Sequence, residues 1–167
     1  MAKVATYTSF EALSDYTEDH AFFKPEIQFL KDGIKAAMAD EDWTVAFKAL
    51  DDLRVANKFH ANDLAENLDF LAPMVKTAVE NLRSNISKNA LTFCKELFMN
   101  SQISNEGKYL SQMIIFTQAI IPSLLHKTQT DKVFISKEAK EAVNQCMISL
   151  PIPETLAVLT SEGLKNK

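Results

Sequence analysis

Apolar residues recur at steps of three and four along most of this chain, the period of a helix that buries one face. Phe23, Ile27, Leu30, Ile34, Ala37 and Met38 form the first such stripe, and Pro25 stands where a helix tolerates proline, in its opening turn. A second stripe runs through Trp43, Ala46, Phe47, Leu50 and Leu53, with Asp40 and Asp42 placed to cap it. After "HAND" the residues Leu64, Leu68, Leu71, Val75, Ala78, Val79 and Leu82 share one face, which predicts a single long helix bent at Pro73. Ile86, Ala90, Phe93, Cys94, Leu97 and Phe98 follow. Beyond "NSQISNEG", where Ser104 or Asn105 is a candidate cap, come Leu110, Met113, Ile114, Ile120, Ile121, Leu124 and Leu125, with Pro122 inside the pattern. Ile135, Ala139, Ala142, Val143 and Cys146 make the next face, and "LPIPETLAVLTSEG" opens a short last helix that Gly163 can end.

Two stretches read as one unit written twice: "LRSNISKNALTFCKELF" at 82–98 and "KVFISKEAKEAVNQCM" at 132–147. Each runs a polar or basic stub into Ile-Ser-Lys, then Ala, then apolar residues at helical spacing. The offsets are 41 residues between Leu50 and Leu91 and 49 between Ala90 and Ala139, which bracket the roughly 40–47 residues of a two-helix HEAT or armadillo unit. A lone helix pair leaves its apolar face wet, so similar pairs stack, and Ala49, Ala90 and Ala139 allow close approach. The expected fold is all-α, an α-solenoid of three to four HEAT-like helix pairs. The alternative is an irregular helical bundle with a chance similarity.

Composition agrees with the pattern. The chain has 167 residues, 47% apolar and 24% charged, with three glycines and five prolines, too few turn formers for a sheet protein. One domain is expected over 23–164, TOG-like in the sense given below, with 1–22 as an N-terminal arm and 165–167 as a tail. In the arm, Phe10, Leu13 and Phe22 either fold back on the first helix or engage a partner. The start has no continuous apolar run of a secretory signal, and the longest apolar stretch is broken by Thr117, Gln118, Pro122 and Ser123, so no membrane segment is expected. Cys94 and Cys146 fall on apolar stripes, as thiols do in a reducing cytosol.

The resemblance to a family rests on "DEDWTVAFKALDDLRV", "LRSNISKNALTFCKELF" and "IIPSLLHKTQTDKVFISKEAKEAVNQCM". In this order they resemble the TOG domains of the CLASP and crescerin type, HEAT-repeat modules that bind tubulin. The similarity covers about residues 25–164, the first half or somewhat more of a full TOG domain. Its most diagnostic parts are Asp42-Trp43 opening a helix, Leu82-Arg83-Ser84 ahead of another, and "LLHK" leading to "FISKEA". The closing "PETLAVLTSEGLKNK" is similar to crescerin-type sequences, which implies a cilium or axoneme within the microtubule cytoskeleton.

The resemblance implies that loops joining the helices of each repeat line one thin edge, and that this edge lies against tubulin. Its residues here are Asp42 and Trp43 in the first loop, Arg83, Ser84, Asn85 and Lys88 in the second, and Lys127, Gln129, Asp131 and Lys132 in the third. The chain departs from the family at Ala46 and Ser136, where a basic residue is frequent. The implied function is a non-catalytic tubulin or microtubule-binding module. The main rival is a degenerate TOG-like structural protein of cilia or axonemes that docks on the lattice, or on other ciliary proteins, without binding free tubulin. A generic HEAT adaptor is the third reading.

Charge bears on this choice. The net charge is −4, but residues 1–82 hold 15 acidic and 8 basic side chains and residues 83–167 hold 7 and 10. Tubulin is acidic, so an acidic chain must gather its cations where contact occurs, and most of the loop cations lie in the positive half. The bland alternative for Lys88, Lys127 and Lys132 is a solvated lysine. Trp43, the only tryptophan, is either a packing aromatic or an exposed anchor. A sequence pI near 5.4 and only two arginines, Arg54 and Arg83, argue against nucleic acid. No phosphate loop, GxSxG, HExxH or CxxC is present, and His20, His60 and His126 have no convincing ligand partners, so no enzyme activity, cofactor or metal is expected.

Overall fold

The computed structural model describes residues 6–14, 43–100, 103, 107–151, 153, 157 and 159–161. The expected first helix, with Asp40 and Asp42, lies outside the described residues, as do Phe22, Ser104, Asn105 and the tail 165–167. Among those described, the protein is all-α and solenoid-like, with helices α1 (Trp43–Phe59), α2 (Ala61–Ala65), α3 (Leu68–Glu80), α4 (Ser84–Met99), α5 (Leu110–Lys127) and α6 (Val133–Ser149). A 3-10 turn, Gly107–Tyr109, leads into α5, and residues 153, 157 and 159–161 are helical. No helix of the described residues is long and apolar enough to cross a membrane.

The helices form two rows. α1, α4 and α6 pack side by side in one, while α3 packs on α5 in the other. The core between them is drawn from the periodic stripes: Leu50 and Leu53, Leu71 and Val75, Ile86 and Phe93, Ile120 and Leu124, and Ala139 and Ala142 are all buried. Ala49, Ala90 and Ala139 are buried too. Phe116, absent from the predicted stripe, is fully buried and meets Phe93 and Phe98 edge-on at 6.4 Å, joining α5 to α4.

Side chains about one repeat apart tie the rows. Arg54 reaches Glu96 across 42 residues, Asn89 Nδ2 donates to the Phe47 carbonyl across 42, and Asn100 Nδ2 donates to the Asn57 carbonyl across 43. In the other row Ser123 Oγ donates to Glu80 Oε1, also across 43 residues. Equivalent positions of successive hairpins therefore touch, as stacking requires.

The long helix expected over 64–82 is interrupted, and not at Pro73. Asn67 leaves helical geometry (φ −119°, ψ 10°) and its Nδ2 donates to the Asp63 carbonyl, taking the place of the backbone bond that would have continued the helix. The chain restarts at Leu68 and runs through Pro73 to Glu80. Leu82, expected on the buried face, is 92% exposed. Asn81 turns extended (ψ 140°) and its Oδ1 accepts from the Arg83 N–H, so the chain has left the helix before Leu82.

Candidate functional site

The repeated Ile-Ser-Lys motif builds a corner. Ile86 and Ile135 are buried and anchor the first turns of α4 and α6. Ser87 Oγ donates to the Val79 carbonyl at 2.7 Å, and Ser136 Oγ donates to the Thr128 carbonyl at 2.6 Å, each spanning eight residues. Each serine thus clasps its helix to the end of the preceding one and satisfies a carbonyl that a helix terminus leaves unpaired. This fixes the loop between them at the same angle twice. α1 has Ala46 at the corresponding place and lacks the clasp.

The second and third corners precede α4 and α6, which lie side by side in one row, and Trp43 opens the neighbouring α1. Lys132 Nζ donates to Ser84 Oγ at 2.7 Å, joining the third corner to the second. Trp43 meets Phe47 edge-on at 6.0 Å, and Phe47 in turn meets Tyr7 at 5.2 Å beside Asn85, joining the first corner to the second. Trp43, Ser84, Asn85, Lys88 and Lys127 are half-buried there, while Arg83, Gln129, Asp131 and Lys132 are exposed; Asp42 lies outside the described residues. Trp43 is half-buried and packs against the core.

The electrostatics of this edge run against helix stability. No acidic residue occupies the first turn of α1, α4 or α6, and the N-cap positions of α4 and α6 are held by Arg83 and Lys132, with no side-chain cap bond. A helix N-terminus favours anions, and Ser, Thr, Asp or Asn is the stabilising cap. Of the other helices, α2 and α3 carry Asp63 and Asp69 in their first turns, and α5 carries no acid there. Burial and then the neighbouring Lys132 charge hold Lys127 below the ordinary lysine range. Arg83 and Lys132 thus stand where an acid or a serine would favour the helix.

Apolar groups stand among these cations. Leu82, Val133 (79% exposed) and Phe134 flank Arg83 and Lys132 on the solvent side of the second and third corners. The periodicity conceals Leu82, which continues the stripe of α3 in phase, whereas Val133 and Phe134 fall outside the stripe that begins at Ile135.

A groove of about 940 Å³ opens on the outer face of α1, α4 and α6, walled on one side by residues 7–11. Two of its cations, Arg54 and Lys95, are matched internally. Arg54 donates from Nε and Nη2 to Glu96 at 2.8 and 2.7 Å and from Nη1 to Asp51 at 3.2 Å, and Lys95 bonds Glu141 and Glu138. Burial pulls Arg54 down, but the bonds and charges of Glu96 and Asp51 outweigh it and hold the guanidinium above its ordinary value. Burial also lifts the Glu96 and Asp51 carboxyls above theirs, against the opposing pull of Arg54. Arg54 is thus committed inside the fold.

Residues 6–14 lie on α1 and α4. Tyr7 Oη donates to the Asn85 carbonyl at 3.1 Å, and Leu13 is buried. Burial, with Asp51 and Glu138 nearby, pushes the Tyr7 hydroxyl up to about 12, so it stays a donor. Cys94 and Cys146 are free and buried; burial raises both thiols, Cys146 to about 12, which leaves them unreactive. Among the described residues no group of His, Cys, Asp and Glu is arranged to hold a metal ion.

No protein-family model matches the chain, and no solved structure does. Two curated proteins are similar to it. TOG array regulator of axonemal microtubules protein 1 of Homo sapiens is 27% identical over 161 residues, which covers 96% of this chain and 9% of that protein. The Mus musculus protein of the same name is 27% identical over 161 residues, covering 96% of this chain and 8% of its own length. The chain therefore spans less than a tenth of the curated relatives it matches, and resembles them along almost all of its own length.

Proposed function

We propose that this chain is a non-catalytic microtubule-associated module of the TOG type, built from HEAT-like helix pairs, that contacts tubulin along the edge formed by its three corners. The observation that carries this reading is the basic edge kept against helix stability. Arg83 and Lys132 sit at helix N-caps where an acid or a serine would stabilise the fold, and Lys88 and Lys127 lie beside them. An acidic partner surface recovers that energy on binding, and Leu82, Val133 and Phe134 supply apolar area between the charges. The relatives are named for the regulation of axonemal microtubules, which supports a place in the cilium or the microtubule cytoskeleton.

Reversing Arg83, Lys88 and Lys132 to Glu together tests the reading. Microtubule co-sedimentation and a gel-filtration complex with soluble tubulin are both expected to disappear while helicity is retained. Unchanged binding would move the contact elsewhere. A second reading, docking on the polymer lattice or another ciliary protein without capture of free tubulin, is favoured by the seat of Tyr7 on the second corner. It predicts co-sedimentation without the soluble complex.

A further inference from the structure

The leading segment occupies ground that the proposed partner would need. At its head, the Tyr7 hydroxyl is bonded to Asn85, its ring lies 4.1 Å beneath the Lys88 ammonium, and its edge packs on Phe47. The segment then runs down α1, where Arg54 Nη2 donates to the Thr8 carbonyl at 2.6 Å. At the far end Lys58 Nζ donates to three carbonyls, those of Phe10, Glu11 and Leu13, at 2.9, 2.8 and 2.9 Å. This exhausts the three donors of an ammonium. Leu13 is buried beside it.

The anchoring is unequal along the strap. Its rear is held by Lys58 through three carbonyls and by the buried Leu13. At the front Arg54 holds the Thr8 carbonyl, but the Tyr7 side chain has only its half-buried ring, its hydroxyl bond to Asn85 and the cation–π contact with Lys88, so that side chain can lift while the backbone from Thr8 onward stays seated. What Tyr7 covers is Asn85 and Lys88, two of the four second-corner residues on the proposed edge, whereas Arg83, Gln129, Asp131 and Lys132 stay exposed.

We propose that residues 6–14 form an autoinhibitory latch, in which Tyr7 occupies Asn85 and Lys88 and must be displaced before an acidic tubulin surface can engage the second corner. This rests on the edge being the tubulin contact. The apparent affinity is then the intrinsic affinity scaled by the fraction of molecules with Tyr7 lifted.

The test compares the wild-type chain, Tyr7→Ala, Tyr7→Phe, Lys58→Gln and the triple Glu reversal for binding to purified tubulin and to microtubules, with melting curves as a folding control. Tyr7→Ala is expected to bind about fivefold more tightly or better. Tyr7→Phe, which loses the Asn85 bond but keeps the ring under Lys88, falls between. Lys58→Gln loosens the rear from outside the edge and shifts affinity the same way, which preserves the test should Tyr7→Ala fold poorly.

Hydrogen exchange gives a second readout. The Ala12 and Leu13 amides donate to the Ser9 and Phe10 carbonyls at the seated rear, so their exchange should stay unchanged when tubulin is added while exchange at Tyr7 and Thr8 speeds up. Binding by Tyr7→Ala and Lys58→Gln but not by the wild type would support the latch most strongly. Equal or weaker binding by both, with the triple reversal still abolishing it, overturns the latch and leaves the edge reading standing. Slower exchange across 6–14 on binding also overturns it, since the strap would then belong to the contact. No binding by any variant, or binding untouched by the triple reversal, overturns both.

Discussion

A buried arginine has few ways to exist in a helical core, and Arg54 uses most of them at once. At 1% exposure it spends its fork on Glu96, Asp51 and the Thr8 carbonyl. Removing one partner of such a pair strands the other charge in a medium that cannot solvate it. Glu96→Ala is therefore expected to lower stability by about 3–5 kcal/mol in urea unfolding. The double change of Arg54 and Glu96 to Met should recover much of that loss. The signal was present in the chain: Arg54 lies four residues after Leu50 and seven after Phe47, squarely on the apolar stripe. Its partner was not readable, because Glu96 is 42 residues away. The N-caps give the opposite case, residues placed for something other than stability. Arg83→Asp and Lys132→Asp are each expected to raise unfolding free energy by about 0.5–2 kcal/mol, while together weakening tubulin binding. A pair that destabilised the fold would remove the argument from the caps.

At the scale of elements, the motif written twice becomes one hinge used twice. Ser87 and Ser136 each bond a carbonyl eight residues earlier, and Ile86 and Ile135 are each buried beside them. Ser87→Ala and Ser136→Ala should each cost about 1–3 kcal/mol, the penalty of a carbonyl left unpaired in the interior. Chemical denaturation measures it, and a neutral result at both sites would show that the clasp is incidental. The stripes of α1, α4 and α6 were legible because a helix with one buried face imposes its period on the sequence. Where polar side chains compete with the backbone, the period misleads: Asn67 breaks the expected long helix, and Asn81 ends it one residue before Leu82.

For the whole molecule the question is where a net −4 chain keeps its positive charge. Lys132 of the third corner reaches Ser84 of the second, while Arg54 and Lys95 in the groove are neutralised by Glu96, Glu138 and Glu141. Binding through such an edge is screened by salt, over a distance of about 10 Å at 0.1 M and about 3 Å at 1 M. Association with microtubules is expected to weaken steadily as salt is raised across that range. Binding that survives 1 M salt would point to an apolar contact instead.

Periodicity, the small residues and the duplicated motif determined the helices, their packing faces and a stacked order, because each of these is written locally and repeats. The residues of the candidate edge were named from the chain through a family resemblance, but their condition was not. Whether Lys88 faces water or the ring of Tyr7 and whether Arg54 is free or buried were decided by contacts between segments some 40 to 80 residues apart. Such contacts leave no period in the sequence. They arise only when the hairpins stack and bring distant side chains within hydrogen-bonding range.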